Sequence, residues 1–338
     1  MKKLFSRLLA LGIILVLIGG IVFVIGFAMS GFNLDKLSSL KVVEGSFTES
    51  ADAPIDKIEL LFNSTDITVK FDETASEISV VYETLTDKND KAITTISATV
   101  ESGKLTVKEA CARKINIFPF SKSTKATVTI PKDRVISLIS KVDTGDVTII
   151  GTATLQEVSL TADTGDVKTK DAVIKSLTSF FMESDTGDFR LGKIDTPYLH
   201  IETDTGYTTF TEDVVADAVE IEVDTGDIRV MKSLSANKTE IEMSTADLKL
   251  FGTLKTTSLF VEFSTGDVEA EDGVIDAESI VMEGRTGDVE ATLFGKLSDY
   301  TVLINQGTGH SNVKNQEGGP KRLSISLSTG DVEIDFKN

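Results

Sequence analysis

The sequence is poor in residues that many activities and scaffolds require. It contains one Cys, two His and no Trp among 338 residues. The single thiol, Cys111, excludes an internal disulfide framework, and we expect it to be a buried structural residue. His200 and His310 are too few for a Cys/His zinc centre or a nucleophilic triad. We interpret His200, on an outward-facing strand position, and His310, in a corner, as surface residues.

Basic side chains are also scarce. Lys and Arg total 34 against 53 Asp and Glu, which gives a formal net charge of −19. Nucleic acid is excluded as a partner, because binding to it needs a basic surface. Hydrophobic residues at 41% and charged residues at 26% are typical of a folded chain. The composition therefore indicates a folded, strongly acidic protein.

One uncharged apolar segment lies near the N-terminus, at residues 8–29. Its 22 residues, at about 1.5 Å each, are enough to cross a hydrocarbon core about 30 Å thick. The preceding residues 1–7 hold three basic side chains and no acidic one, so the positive-inside rule places them in the cytoplasm. We therefore predict a cytoplasmic tail at 1–7, a single transmembrane helix at 8–29 in the lipid of the cell membrane, and an extracytoplasmic remainder.

A cleaved secretory signal is the alternative interpretation of this segment. Ala28 and Ser30 offer small residues around a cleavage point. Secretory apolar cores usually span about 7–15 residues, and this one is longer, so we prefer the anchor. The only Cys is distant from the segment, which excludes lipid attachment to a cysteine beside it.

A short string recurs through the C-terminal two thirds of the chain. Its consensus is Asp/Ser-Thr-Gly-Asp followed by an aliphatic residue, and consecutive copies start 19 to 22 residues apart. Thr is present in all ten copies, Gly in all except at Ala246, and the second Asp in all except at Tyr207 and His310. The copies start at Asp143, Asp163, Asp185, Asp204, Asp224, Ser244, Ser264, Arg285, Gly307 and Ser328.

Apolar residues keep a fixed distance from this string. The positions five and three residues before each copy are almost all apolar, and so is the position after the second Asp in most copies. Alternation with a period of two is typical of β-strands that bury one face. Each repeat therefore reads as a strand, a turn at the Gly, a second strand and a return loop of variable length.

Units this small cannot bury an apolar face alone, whereas units stacked along one axis share a continuous core. We therefore predict an all-β fold whose residues 136–338 form a regular parallel β-solenoid, or single-stranded β-helix, of about 20 residues per coil. Gly suits the turn because it accepts a positive φ, and the adjacent Asp and Thr can bond local backbone amides. The predicted turn glycines are Gly145, Gly165, Gly187, Gly206, Gly226, Gly266, Gly287, Gly309 and Gly330.

The segments before and after these coils are assigned by the same pattern. Residues 30–44 read as a linker, and residues 45–135 as an irregular β-region of broader coils that caps the solenoid on its membrane side. Asn63 stands 80 residues, or four periods, before Asp143. From Val332 to the C-terminus, charges alternate with apolar residues and would discourage end-to-end strand pairing.

These features together resemble a known family. The strand Ala126–Asp133, which contains Pro131-Lys132, leads into the Thr-Gly-Asp turns, and one apolar segment precedes it. The set resembles the bacterial "putative adhesin" β-strand-repeat family over residues 45–338. The resemblance implies a right-handed single-stranded β-helix at the cell surface, associated with envelope stress, and it implies no catalytic residues.

Asp-Thr-Gly also occurs in aspartic proteases, where two aspartates share a proton across a bilobal cleft. Five copies at nearly constant spacing, most of them followed by Asp, indicate a structural repeat instead.

An acidic pattern is the candidate binding site. Two residues before the string, six successive copies carry a Glu, and stacking in register would set these carboxylates about 5 Å apart on one outer face. This glutamate ladder comprises Glu183, Glu202, Glu222, Glu242, Glu262 and Glu283. The second Asp of the string forms a second column, the aspartate column: Asp146, Asp166, Asp188, Asp227, Asp247, Asp267, Asp288 and Asp331.

Three interpretations of these columns remain open. They can be a solvated acidic face screened by salt, with the corner aspartates bonded to backbone amides. They can bind divalent cations such as Ca²⁺, which prefers carboxylate oxygens, although no known calcium-binding repeat is present. They can also engage a cationic partner such as a basic peptide or a positively charged wall polymer.

Three classes of function follow. We prefer a non-catalytic, membrane-anchored surface protein, either an adhesin or a module that binds the cell envelope. The alternative is a sensor of envelope stress or antimicrobial peptides that acts with a membrane protein partner, since so short a cytoplasmic tail can scarcely transmit a signal alone. The third is a polysaccharide-active β-helix enzyme, which needs acids clustered with Lys, Arg or His in a groove, and no repeat shows that group.

Overall fold

The computed structural model describes residues 40–50, 54–112 and 123–337. The predicted tail at 1–7 and transmembrane helix at 8–29 lie outside these ranges. Within them, no helix is long and apolar enough to span a bilayer. The last residues of the predicted linker are not a linker, because a strand begins at Lys41.

The described residues form β-strands and one 3₁₀ turn, Leu297–Asp299, so the fold is all-β. The strands are β1 Lys41–Ser50, β2 Lys57–Phe62, β3 Thr65–Asp72, β4 Glu77–Thr86, β5 Thr94–Glu101, β6 Lys104–Cys111, β7 Thr124–Pro131, β8 Ser137–Thr144, β9 Val147–Thr164, β10 Val167–Thr186, β11 Phe189–Leu191, β12 Lys193–Thr205, β13 Thr208–Phe210, β14 Val214–Val230, β15 Ser233–Leu250, β16 Thr253–Thr265, β17 Val268–Thr286, β18 Val289–Phe294, β19 Tyr300–Thr308, β20 Lys321–Thr329 and β21 Val332–Lys337.

The chain divides into two compact units. Among the described residues, the smaller unit consists of 40–44, 83–95, 111–112 and 123–124, and the larger of 45–50, 54–82, 96–110 and 125–337. In the described part of the smaller unit, Leu40, Leu85 and Ile93 form a buried cluster. Cys111 is exposed rather than buried, because the alternation of buried residues along β6 has ended before it.

The larger unit is a parallel β-solenoid, which confirms the predicted fold class. Successive repeats pair in parallel from β8 to β18, and the Thr of the string marks the register. Thr205, for example, pairs with Thr225, and Thr225 pairs with Thr245. Equivalent residues of neighbouring coils therefore lie directly beside each other in the sheet.

The inward-facing positions form one continuous core. Ile201, Ile221 and Ile241 stack at the position three residues before the string, and all are fully buried. Full burial of such a side chain contributes about 1.5–3 kcal/mol. The polar exceptions, Ser140 and Thr239, are also fully buried, so they follow the strand register rather than their own polarity.

Irregularities in register concentrate on the return side of the coils. Between β9 and β10 the register shifts between Lys168 and Asp171, and between β17 and β18 it shifts between Ala270 and Ile275. The strand that carries the glutamate ladder pairs without a shift from Phe180 to the corner. Variation in repeat length is therefore absorbed away from the ladder.

The region before the regular coils combines two arrangements. Strands β2 and β3 form a coil that stacks on β8 and β9 with an offset of 80 residues, because Ile58 pairs with Leu138 and Ile67 with Val147. The four-period spacing seen in the sequence is thus the actual register. Strands β4 and β7 instead pair antiparallel, so the expected broader coils do not extend through this region.

The order of the last coils differs from chain order. Leu323 of β20 lies between Ile280 of β17 and Val302 of β19, so the final repeat is inserted before the repeat that precedes it in sequence. The C-terminal strand β21 pairs with β18 on one side, and on the other side its first residue is covered, because the Val332 N–H donates to the His310 carbonyl at 2.8 Å.

Candidate functional site

The corners of the solenoid hold the turn glycines in close stacks. Gly206 has φ of +154°, a conformation that L side chains rarely adopt. A Cβ on Gly206 would also lie 1.9 Å from the Gly187 carbonyl oxygen of the preceding coil. Gly187 is not among the positive-φ residues, but its Cβ would meet the Gly165 carbonyl oxygen at 1.9 Å. Close approach of backbones, more than positive φ, therefore requires Gly here.

Most of the predicted turn glycines share this geometry. The turn glycines with a positive φ are Gly145, Gly165, Gly206, Gly226, Gly266, Gly287, Gly309 and Gly330. Their N–H groups link coils as well: the Gly165 amide donates to the Thr186 carbonyl, and the Gly206 amide to the Thr225 carbonyl, both at 2.9 Å. The corner is thus part of the hydrogen-bonded ladder.

The aspartate column connects coils through side chains. The amide of Asp166 donates to Asp146 Oδ1 at 3.0 Å, and the amide of Asp288 to Asp267 Oδ1 at 2.8 Å. The expected bond to a backbone amide is present, but its donor belongs to the next coil. Equivalent bonds to backbone amides are accepted by Asp66, Asp166, Asp188, Asp247, Asp288 and Asp331.

Cations neutralise part of the aspartate column. Lys168 Nζ lies 2.7 Å from Asp146 and 2.9 Å from Asp166, and Lys249 Nζ lies 3.0 Å from Asp247. Burial raises the pKa of Asp166, but hydrogen bonds from Lys168 and from a backbone amide outweigh it and hold that pKa below its usual range. The charges of the aspartate column are therefore partly balanced within the fold itself.

The glutamate ladder differs from the aspartate column, whose carboxylates accept backbone hydrogen bonds and pair with Lys. All six glutamates stack in register: Glu183 with Glu202, and then Glu222, Glu242, Glu262 and Glu283 in turn. In residues 40–50, 54–112 and 123–337, no Lys or Arg comes within 4.0 Å of these carboxylates. A shallow groove follows the ladder on its corner side, where Asp224 adds another carboxylate.

Mutual repulsion is visible in the middle of the ladder. Glu222 is half-buried, whereas its neighbours Glu202 and Glu242 are exposed. Desolvation by burial, followed by the negative charges of Glu202 and Glu242, raises the pKa of Glu222 above its usual range. A cation placed against the ladder would relieve this repulsion, so the arrangement is suited to binding positive charge.

An aromatic cluster borders the ladder at Phe181, Tyr198 and His200. The imidazole of His200 lies 5.8 Å from the Phe181 ring and 6.3 Å from the Tyr198 ring, centroid to centroid. His200 is therefore half-buried rather than a simple surface residue, whereas His310 is exposed at its corner as expected. The sequence signal for this cluster was the presence of large aromatic residues at outward-facing positions of successive repeats.

The chain is similar to several crystal structures. A "putative adhesin" from Bacteroides fragilis NCTC 9343 is 15% identical, with a TM-score of 0.35 and coverage of 87% of this chain and 97% of that chain. A "putative lipid binding protein" from Parabacteroides distasonis ATCC 8503 is 15% identical, with a TM-score of 0.32 and coverage of 89% and 97%. No curated protein matches the chain.

A family profile covers most of the sequence. The Toastrack DUF4097 profile matches residues 55–338, which include every copy of the repeated string and the whole glutamate ladder. The match confirms the family resemblance that the Thr-Gly-Asp turns carry. The chain belongs to the Toastrack DUF4097 family.

Proposed function

We propose that this protein is a non-catalytic surface protein, anchored in the cell membrane by residues 8–29, whose extracytoplasmic solenoid binds a cationic component of the cell envelope. The glutamate ladder carries the proposal. It is the one column of acidic side chains identified in the sequence that stacks over six coils without neighbouring Lys or Arg in the described residues. The partner class is a wall polymer or another surface with repeated positive charges.

The geometry of the ladder suits a repetitive partner. Carboxylates on adjacent coils are separated by about 4.8 Å, the spacing of neighbouring strands. An extended polymer lying along this column can make several ion pairs at once, and several weak contacts on one chain give high effective affinity. Because the contacts are electrostatic and exposed, binding should weaken as salt rises.

Co-sedimentation of the full-length chain with cell-wall material tests the proposal. The chain offers a matched control, because Glu269, Glu290 and Glu333 also stack in register, on the strand after the corner. We expect the triple substitution of Glu222, Glu242 and Glu262 to Gln to abolish most binding at physiological salt, and the triple substitution of the control glutamates to leave it nearly unchanged. Equal loss in both variants would show a general charge effect, and no binding by the parent chain would refute envelope adhesion.

The sensing alternative rests on the same ladder and predicts a different ligand. A cationic antimicrobial peptide would then bind the parent chain and not the ladder variant, while wall material would bind neither. Cross-linking in membranes would in that case identify a partner protein.

A further inference from the structure

One cluster beside the ladder contains nitrogen as well as carboxylate ligands. His200 pairs in register with Glu220, and Glu222 lies two residues further along the same strand. One donor atom from each of His200, Glu220 and Glu222 lies within 4.8 Å of the other two. These three side chains therefore converge without any change in the backbone.

The imidazole is held in place and has an unsatisfied nitrogen. The His200 side chain is only 19% exposed, because the rings of Phe181 and Tyr198 pack against it. Its Nδ1 is closed to solvent and has no hydrogen-bond partner, and the nearest carboxylate oxygen, Glu220 Oε2, is 3.6 Å away. A buried polar atom without a partner is costly, and a bound ion is one of its recognised causes.

Outer groups orient the same side chains. The Tyr198 hydroxyl donates a hydrogen bond to Glu220 Oε2. The second nitrogen of His200, Nε2, faces Glu202 at 3.6 Å. Metal-binding histidines usually direct their other nitrogen to a carboxylate or carbonyl, and their carboxylate co-ligands are themselves hydrogen-bonded. Both the three side chains and the groups around them are therefore typical of a metal site.

We propose that His200, Glu220 and Glu222 bind a divalent transition-metal ion of the Zn²⁺ class. One imidazole nitrogen and two carboxylate oxygens suit Zn²⁺ and related ions, whereas Ca²⁺ takes oxygen ligands only. Three protein ligands leave a coordination position for water. This proposal is independent of the proposed function, because it requires neither an envelope partner nor the rest of the ladder.

The histidine content makes the test specific. The full-length chain contains only two histidines, so selective isotope labelling of the imidazoles gives two NMR signals. On addition of Zn²⁺ at constant pH, we expect the His200 signal to shift and saturate at one equivalent, while the His310 signal stays in place. Calorimetric titration of the same samples with Zn²⁺ gives the affinity. A His200 signal that does not respond to Zn²⁺ would overturn the proposal.

Variants separate the site from its surroundings. His200→Ala should abolish the single-equivalent binding, and the matched control His310→Ala should retain it. Tyr198→Phe, which removes only the outer hydrogen bond, should weaken Zn²⁺ binding by about tenfold or more. Unchanged thermal unfolding in the presence of chelator verifies that each variant is folded. Binding of Zn²⁺ with the same stoichiometry and affinity in His200→Ala would place the metal on the ladder alone and refute the site.

Discussion

The backbone amide of Asp331 donates a hydrogen bond to Asp288 Oδ1 at 2.7 Å, although 43 residues separate the two in sequence. The coil between them in sequence is passed over, and its His310 amide donates to Asp331 Oδ1 at 2.6 Å from the far side. The last segment of the chain is therefore an interior coil, and the segment before it forms the end of the solenoid.

This order predicts an unusual pattern of hydrogen exchange. The amides of β20 should exchange more slowly than those of β19, because β20 lies between two coils whereas β19 pairs with a full strand on one side only. Exposed and singly paired strands open at low free energy, so they exchange first. Exchange measured by mass spectrometry on the peptides that contain Ile325 and Val302 checks this. Faster exchange in the Ile325 peptide than in the Val302 peptide would contradict it.

The aspartate column predicts a distinction between two substitutions at Asp267. Asp267→Ala leaves the Asp288 amide without its acceptor and should cost about 1–3 kcal/mol of unfolding free energy. Asp267→Asn keeps an oxygen at the same place and should cost clearly less. Asp204→Ala, at an exposed corner position, is the control and should be nearly neutral. Denaturant unfolding measures all three, and equal losses for Ala and Asn would show that charge, not the amide bond, is what matters.

Two glycines separate conformational strain from steric overlap. Gly206 and Gly318 both have positive φ, but a Cβ on Gly318 would meet nothing within 4 Å, whereas on Gly206 it would meet a carbonyl oxygen at 1.9 Å. Gly318→Ala should therefore cost only the strain, about 1–2 kcal/mol. Gly206→Ala should cost several times more or prevent folding, as judged by thermal unfolding. Similar costs at both positions would mean that the coils separate easily at the corner.

Burial of the Glu222 carboxylate, together with repulsion within the glutamate ladder, predicts that Glu222→Gln is stabilising at neutral pH. Because the pKa of Glu222 is raised in the folded state, the ionised side chain destabilises the fold, and this destabilisation is fully present above the raised pKa. It disappears as the pH falls below 4.5, the ordinary pKa of a Glu side chain. The expected gain is about 0.2–1 kcal/mol at pH 7.

Glu283→Gln is the matched control for this substitution. Glu283 has one ladder neighbour, Glu262, and Ser326 on its other side, so its gain should be smaller. Thermal unfolding at pH 7 and pH 4 with chelator present tests both variants. A gain at Glu222 that persists at pH 4 would show that the cause is packing rather than charge.

Calcium provides a separate test of the ladder. If the six carboxylates hold Ca²⁺, a concentration tenfold above Kd should raise the unfolding free energy by about 1.4 kcal/mol. Substitution of Glu242, Glu262 and Glu283 to Gln should abolish the increase, because it removes half of the ladder carboxylates. These three glutamates are chosen because they lie outside the His200 cluster. An unchanged melting temperature of the parent chain in millimolar Ca²⁺ would dispose of calcium binding.

The periodic parts of this fold were predictable from sequence, because strand alternation and constant spacing leave little choice of register. The pairing of Glu202 with Glu222 follows from that spacing alone. The pairing of Glu290 with Glu333 does not, since all repeats carry the same pattern and each fits beside several others. Near-identity of the repeats thus reveals the architecture while concealing the order of the last coils.

The environment of His200 was concealed for a different reason. Alternation tells which side chains point outward, but it does not tell whether outward-facing neighbours cover one another. Phe181 and Tyr198 cover the imidazole because two adjacent coils place aromatic residues at that face. The hydrogen bond that an Asp carboxylate accepts from a backbone amide of the next coil was likewise not predictable, since the same Asp can instead cap its own turn.

The separation between the ladder strand and the irregular return side has a consequence for how such a protein can change over generations. Duplication or loss of one whole repeat would lengthen or shorten the acidic column by one carboxylate while leaving every remaining pairing intact. Insertions of one or two residues on the return side would leave the column untouched, as the register shift after Lys168 already shows. Gene rearrangement can therefore change the length and the total charge of the acidic column by one repeat at a time.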